Sequence, residues 1–462
     1  MSPPSAVRVV SRRVVKPPPR PRERIPLTSW DASFLSMNYI QKGLLFARPP
    51  IATADLLDHL HGSLADALAS YYPVAGRLAT ESHRGDERGD ATGCSVSIDC
   101  GGQGAEILHA VADGVAVAEV VPPGDVPRVV QSFFPLEGAV SYDGHELPLF
   151  VLQVTELADG VFLGFACNHA LADGTAFWNF LNAWAEIARA RLAPPEARGA
   201  LTSRPPLLER WSPDGGEAAP AVLPCADPSA LIERLPEPAP PMRERMLHFS
   251  PDSVSGLKER ARQELLAAGD AAGASAVTRF QALASFMWRC FARTWRLAPD
   301  EETVFRAAID NRGRLRPPVP GEYFGNCISS VTTGPVRASE LLARGHGWAA
   351  AAIGRAVAAH TDPEIRARAA AEPTVYTRRW FRRNDVFIGS SPRFDMYGCD
   401  FGWGKALAVR SGRANKVEGK ASLFPGRDGG IDVEVVMTPE NMAALEQDEE
   451  LRAAVSPPSR NA

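Results

Sequence analysis

The segment Asn168-His169-Ala170-Leu171-Ala172-Asp173-Gly174 places a histidine four residues before an aspartate, directly after an apolar run. A neutral imidazole, with an ordinary pKa of about 6.5, takes a proton from a hydroxyl or amine at neutral pH and returns it in a later step. The same two residues also have a plain structural reading, as a histidine packed at a strand end and an aspartate capping a helix. Two common residues meet at this spacing often by chance, so the pair alone leaves both readings open. Cys167, two residues before His169, is a second conceivable nucleophile. It ends an apolar strand, where a buried thiol is inert, and no reaction is expected of it.

The elements that must hold these residues are readable nearby. Phe150 to Leu157 and Val161 to Cys167 are β-rich runs separated by Ala158-Asp159-Gly160, which predicts an antiparallel hairpin. Phe177, Leu181, Trp184 and Ala188 then mark one face of a helix, so His169 falls at a strand-to-helix junction. Upstream, Leu56, Leu57, Leu60, Leu64 and Leu68 predict an amphipathic helix over Asp55 to Ala69. The N-terminus is basic, as a transit peptide is, but its β-branched run Val7 to Val15 stops at Pro17-Pro18-Pro19 and predicts a strand retained in the fold. From Leu192 to Met242 prolines crowd without periodicity, which predicts an exposed crossover linker between two domains, residues 1–191 and 243–462. The second half offers a strand near Met246 to Phe249, a helix starting at Ser250-Pro251-Asp252, and a buried helix over Val277 to Thr294. Further strands are expected at Ala421 to Phe424 and Ile431 to Met437, with a short helix near Pro439 to Glu446. No internal repeat is visible.

Composition removes several function classes. The 462 residues carry 45% apolar side chains and a net charge of −4, enough for two cored domains and no basic field for nucleic acid or an anionic membrane. The longest apolar stretch, Phe280 to Trp288, is too short to span a bilayer. The seven cysteines are odd in number, scattered, and never in the two-residue spacing of zinc or redox pairs, which fits a reducing, cytoplasmic setting and no metal.

A wider set of motifs decides between the readings of His169. His169-x-x-x-Asp173-Gly174 is followed about sixty residues from the end by Asp400-Phe401-Gly402-Trp403-Gly404. Between and around them stand Leu27-Thr28-Ser29-Trp30-Asp31, Tyr72 to Leu78, Phe280-Gln281-Ala282-Leu283 with Trp288-Arg289, Asn311-Arg312-Gly313-Arg314 and Tyr323-Phe324-Gly325-Asn326. With these, the chain resembles the plant BAHD acyltransferases over nearly its whole length. The resemblance implies an α/β fold of two similar chloramphenicol-acetyltransferase-like domains, with mixed sheets flanked by helices and a solvent channel between them. It implies a monomer, whose partners are acyl-CoA as co-substrate and a small-molecule alcohol or amine acceptor. His169 would be the general base. Asp173 would be structural, paired with Arg312, and Asp400, Gly402 and Trp403 would be architectural.

Substrate contacts are less defined. Family members that use shikimate or quinate carry Thr-Ser-Trp shortly before the second signature, where this chain has Gly389-Ser390-Ser391. Ser390 and Ser391 are therefore candidate oxyanion or substrate contacts. Thr278 matches a family position near the pantetheine arm of CoA, and Lys405, Arg410, Arg413, Lys416 and Lys420 supply cations for its phosphates, Lys416 foremost. Arg378-Arg379 and Arg382-Arg383 form a denser basic cluster, suited to steering an acidic acceptor or CoA or to a surface loop. Two other uses of the same fold stay open: a hydrolase or lyase using His169, and a non-catalytic acyl-CoA or metabolite-binding protein. A carrier-protein condensation domain fits poorly, since the second histidine of its signature is Asn168 here.

Overall fold

The computed structural model describes residues 7–84, 91–194, 200–216, 218–234 and 241–456. The hairpin Phe150–Glu156 and Gly160–Cys167 forms where the two apolar runs predict it, with Phe150 opposite Cys167. Both strands are buried almost throughout, because they lie in the middle of a six-stranded mixed sheet. Its order is Val7–Val15, Ala105–Ala112, Phe150–Glu156, Gly160–Cys167, Ile40–Ala47, Ala408–Ser411. Only the Ala105–Ala112 and Phe150–Glu156 pair is parallel. The helices Thr53–Ser70 and Gly174–Leu192 pack together, and their leucines and aromatics meet Phe150, Leu152, Leu163 and Phe165 in one core.

A second six-stranded mixed sheet runs Arg243–Phe249, Ile431–Met437, Lys420–Pro425, Val386–Ile388, Phe305–Asp310, Ile328–Thr332. Helices Pro251–Ala267, Arg279–Thr294 and Gly345–Ala359 pack with one another over a separate core. The short helix Pro439–Leu445 follows, as its sequence suggests. Two mixed sheets, each with its own helices, form the two-domain architecture that the motifs imply.

Two segments depart from the sequence reading. The signature region does not stay with the second half: Ala408–Ser411 pairs antiparallel with Ile40–Ala47, and Met396, Cys399, Phe401, Ala406 and Val409 belong to the first core. A boundary at residue 243 thus describes the two sheets but not residues 396–411, whose apolar side chains fill the N-terminal core. The crossover is not merely an exposed spacer either. Trp211 stacks on Trp30 at 4.6 Å, Arg210 is buried, and Val222–Leu223 adds a strand to Ala91–Asp99. Its prolines flank Trp211 and Leu223, which need cover; Pro195, Pro236, Pro238 and Pro240 lie outside the described residues.

A close approach shapes the strand that leads to His169. Gly164 and Gly43 face each other across the sheet, and a Cβ on Gly164 would stand 2.0 Å from the Phe133 carbonyl oxygen. That oxygen is backbone and has nowhere to move. Gly164→Ala is expected to cost about 3 kcal/mol of stability. Gly256→Ala, in the open middle of a helix, is expected to add about 0.5–1 kcal/mol. Urea unfolding of the two variants checks the contrast.

Candidate active site

The chain leaves the Gly160–Cys167 strand, turns through residues 168–173, and enters the Gly174–Leu192 helix with Asp173 as N-cap. Asp173 is fully buried. Its Oδ1 accepts from the Ala176 N–H at 2.9 Å, the helix-capping bond expected of an aspartate here. Arg312 donates to both oxygens, Nη1 to Oδ2 at 2.8 Å and Nη2 to Oδ1 at 3.1 Å, and the Cys327 N–H donates to Oδ2 at 2.9 Å. The guanidinium also donates to the Tyr323 and Gly325 carbonyls and to Asp310. Burial works against its charge, but the Asp173 carboxylate more than offsets this and raises the Arg312 pKa. None of these bonds reaches the His169 ring, so Asp173 fixes the backbone around the histidine rather than the imidazole.

Other groups hold the histidine. Asn168 donates through its backbone N–H to the Leu149 carbonyl at 2.8 Å and through Nδ2 to the Ser141 carbonyl at 2.7 Å. The Ser141 hydroxyl accepts from the His169 N–H at 3.1 Å, and Asn326 Nδ2 donates to the His169 carbonyl at 2.8 Å. Asn326 is anchored in turn on the buried Asp31, whose Oδ1 accepts from its backbone N–H at 2.9 Å and from Nδ2 at 3.0 Å. Phe34 lies flat on the imidazole, with ring centroids 4.0 Å apart and planes 4° apart, and Tyr376 meets Phe34 edge-on at 5.4 Å. Nδ1 is buried with no hydrogen-bond partner among the described residues. Burial, only partly countered by hydrogen bonding and the Asp173 charge, pulls the His169 pKa down to about 4. The imidazole is therefore neutral at pH 7 and free to accept a proton.

The sequence singles out the strings around Asp31 and Asn326 without giving either residue a task, and it passes over Phe34 and Ser141. The only local signal for Phe34 is its place one helical turn beyond Trp30, in a segment already marked by its motif. Cys167 is buried, its thiol donates to the Asn168 carbonyl, and burial raises its pKa, all against a nucleophilic role.

The second signature is a backbone device. Asp400 Oδ1 accepts from the Gly402 and Gly404 N–H groups at 2.8 and 3.0 Å, and both glycines hold positive φ, +113° and +105°. Such conformations favour glycine, and the turn they make stacks Phe401 on Trp403 and sets Phe401 edge-on to Trp184 of the active-site helix. Arg189 of that helix donates to the Asp400 carbonyl at 2.5 Å.

Among the proposed ligand contacts, Lys416 and Arg410 need correction. Lys416 Nζ donates to Glu244 at 2.6 Å, Glu434 at 3.0 Å and the Ser411 carbonyl at 3.2 Å, with its side chain 6% exposed. Burial opposes its charge, yet the two carboxylates more than compensate and raise its pKa. Its three N–H groups are committed inside the protein, leaving none for a CoA phosphate. Arg410 is likewise buried and donates to the Val120 and Val409 carbonyls. Arg413 pairs with Glu137, Lys420 donates to the Asn415 carbonyl, and Arg379 lies 3.8 Å from Glu233. Thr278 is exposed and caps the Arg279–Thr294 helix by accepting from the Gln281 N–H. Ser391 accepts from the Arg393 N–H, while the half-buried Ser390 hydroxyl has no hydrogen bond among the described residues. Among these residues, too, no cluster of three or more metal-ligating side chains occurs, and no helix is long and apolar enough to cross a membrane.

A sequence profile described as the Transferase family matches residues 5–452. An uncharacterised acetyltransferase of Arabidopsis thaliana is 35% identical over 93% of this chain and 94% of its own. The BAHD acyltransferase DCR of the same plant is 31% identical over 94% and 89%. The chain belongs to the BAHD acyltransferase family. It is accordingly an acyl-CoA-dependent O- or N-acyltransferase. Among solved structures, F. sporotrichioides TRI101 complexed with coenzyme A and T-2 superposes with a TM-score of 0.68 at 18% identity, covering 95% of this chain and 100% of the other, which shows the shared fold.

For this acyltransferase, removing one partner of a buried ion pair leaves the other charge stranded. Asp173→Asn is expected to lose about 3–5 kcal/mol of stability, with soluble yield and activity falling together in urea unfolding and turnover measurements. Asn326→Ala acts differently, since it frees the His169 carbonyl and takes one donor from Asp31, which keeps the bond from the backbone N–H of residue 326. It is expected to lower kcat by about 10–100-fold with KM for the acyl-CoA unchanged, in steady-state kinetics on folded protein.

Proposed function

We propose that His169 is the general base of acyl transfer and that the acceptor attacks the thioester directly in a ternary complex. The observation that carries this reading is the imidazole itself: clamped against Phe34, its backbone held by Ser141 and Asn326, its Nδ1 enclosed, and its pKa low enough to keep it neutral. With Nδ1 shut in, Nε2 is the nitrogen left for substrate. The acceptor O–H or N–H gives its proton to Nε2 as the oxygen or nitrogen attacks the thioester carbonyl carbon. The tetrahedral oxyanion then collapses, the C–S bond breaks, and the imidazolium returns the proton to the CoA sulfur. No covalent acyl-enzyme is needed, which agrees with the inert Cys167.

Ser390 and Ser391 are read as contacts to the oxyanion or substrate, Ser390 having a hydroxyl free to donate. Thr278 uses an oxygen lone pair in capping its helix, so its O–H remains available to the pantetheine arm. The chain is read as a cytoplasmic monomer, its scattered cysteines, free thiols all, suiting a reducing setting.

A mass-spectrometric screen of the protein with acyl-CoA thioesters against phenolic, amine, sugar and fatty-alcohol acceptors tests the reading. An acylated product is expected, and His169→Ala should lower its rate by about 10²–10⁴-fold; free CoA without acylated acceptor would establish a hydrolase instead. The base also sets a pH signature. A group with a pKa of about 4 stays deprotonated as pH falls through the ordinary histidine range. The acid limb of kcat/KM is therefore expected well below pH 6, and an inflection between pH 6 and 7 in the rate profile would contradict the buried base.

A further inference from the structure

Cys94 and Cys225 stand 131 residues apart in sequence, yet their Sγ atoms lie 4.0 Å from each other. The contact arises because Val222–Leu223 of the crossover pairs antiparallel with Ala91–Asp99, setting Leu223 opposite Cys94 and bringing Cys225 alongside two residues later. No other two thiols of the chain are in contact among the described residues, and the other five cysteines are buried. Cys94 is wholly buried, whereas Cys225 is half-buried between exposed Pro224 and Ala226. A disulfide requires an S–S distance of about 2.05 Å, so the sulfurs must close by about 2 Å. Cys225 sits beyond the last ladder pair, where the chain bends and can rotate inward without breaking a strand.

We propose that Cys94 and Cys225 form a reversible redox site, closing to an intrachain disulfide under peroxide and reopening under a dithiol reductant. Cys225, the accessible thiol, attacks the peroxide oxygen; the O–O bond breaks and water leaves, giving the sulfenic acid. The Cys94 sulfur then attacks the Cys225 sulfur, the S–O bond breaks, and the Cys94 proton leaves with the hydroxide as a second water. Two thiols are oxidised to one disulfide and one peroxide is reduced to two waters. Burial and the neighbouring Cys225 push the Cys94 pKa up to about 12, so Cys94 acts only as the resolving partner, once Cys225 has been oxidised.

The closure would pin the middle of the crossover. On one side of Cys225 lies Arg210, 3.8 Å from Asp31 in the chain of contacts to His169. On the other lie Glu233 and Arg234, which with Ser36, Asn38 and Phe381 line a cavity of about 510 Å³. Fixing the crossover to the Ala91–Asp99 strand thus stiffens one wall of that cavity and one support of the base.

The test treats the full-length protein with hydrogen peroxide, then alkylates and maps peptides without reduction. The expected result is one cross-link between the Cys94 and Cys225 peptides, two fewer titratable thiols than the seven in the sequence, and recovery of all of them with dithiothreitol. The oxidised form should melt at a higher temperature than the reduced form, because the closed loop restricts the unfolded chain. Cys225→Ser should give no cross-link and no melting shift while remaining folded. Seven thiols surviving in peroxide, Cys225 driven on to sulfinic acid, or a Cys225 disulfide between two chains would each overturn the proposal. A cross-link without a rise in melting temperature would overturn the pinning of the crossover.

Discussion

The site depends on the desolvation of one carboxylate. Asp173 has no contact with water, and a buried carboxylate is tolerated only when its lone pairs are met by donors, preferably charged ones. Arg312, the start of the active-site helix and the Cys327 N–H meet them, and each comes from a different stretch of chain. Satisfying this single group therefore brings together the turn that carries His169, the Asp310–Arg312 turn at the end of a second-sheet strand, and the segment that ends the Tyr323 motif. Asn326 precedes Cys327, so the bond that places Asn326 against the His169 carbonyl follows from the same requirement.

Around His169 the protein has chosen a dry environment over a charged partner. A carboxylate on Nδ1 would stabilise the imidazolium and raise the pKa; among the described residues Nδ1 has no hydrogen-bond partner, and Phe34 covers the ring. The result is a weaker base that is fully deprotonated at neutral pH, a form suited to receiving a proton only as an acceptor begins to bond. The supports of this environment extend into the crossover. Arg210 donates to the Phe324 carbonyl at 2.6 Å beside Asp31, so the proline-rich connector belongs to the active-site scaffold.

What could be read from the sequence was local. His169, Asp173 and the glycine turn after Asp400 were legible because their chemistry and backbone demands lie within a few residues. The hairpin and main helices were legible because their periodicity is strong. The clamps on the histidine were not: Phe34, Ser141 and Asn326 act on His169 only through tertiary contact, and no string of residues says which amide meets which carbonyl. Lys416 was misplaced for the same reason, since a run of cations reads as a solvated face. The corrective signal sat elsewhere, in Glu434 at the centre of the apolar strand Ile431–Met437. A carboxylate buried there demands a cation, and Lys416 is the one it found. The crossover was misread because proline content describes stiffness and says nothing about the Trp211 that must be covered.

The return of Ala408–Ser411 to the first sheet bears on how the protein comes into being. During synthesis the Ile40–Ala47 strand emerges early and pairs on one side with Gly160–Cys167, while its other edge waits for Ala408–Ser411, which is made far later in the chain. An open edge with unpaired N–H and C=O groups is a template for pairing with another chain. The first domain thus leaves the ribosome with one seam unsewn and its core short of Phe401 and Val409. Its maturation is coupled to completion of the second, and a nascent or truncated chain that stops before residue 408 carries that sticky seam throughout its life.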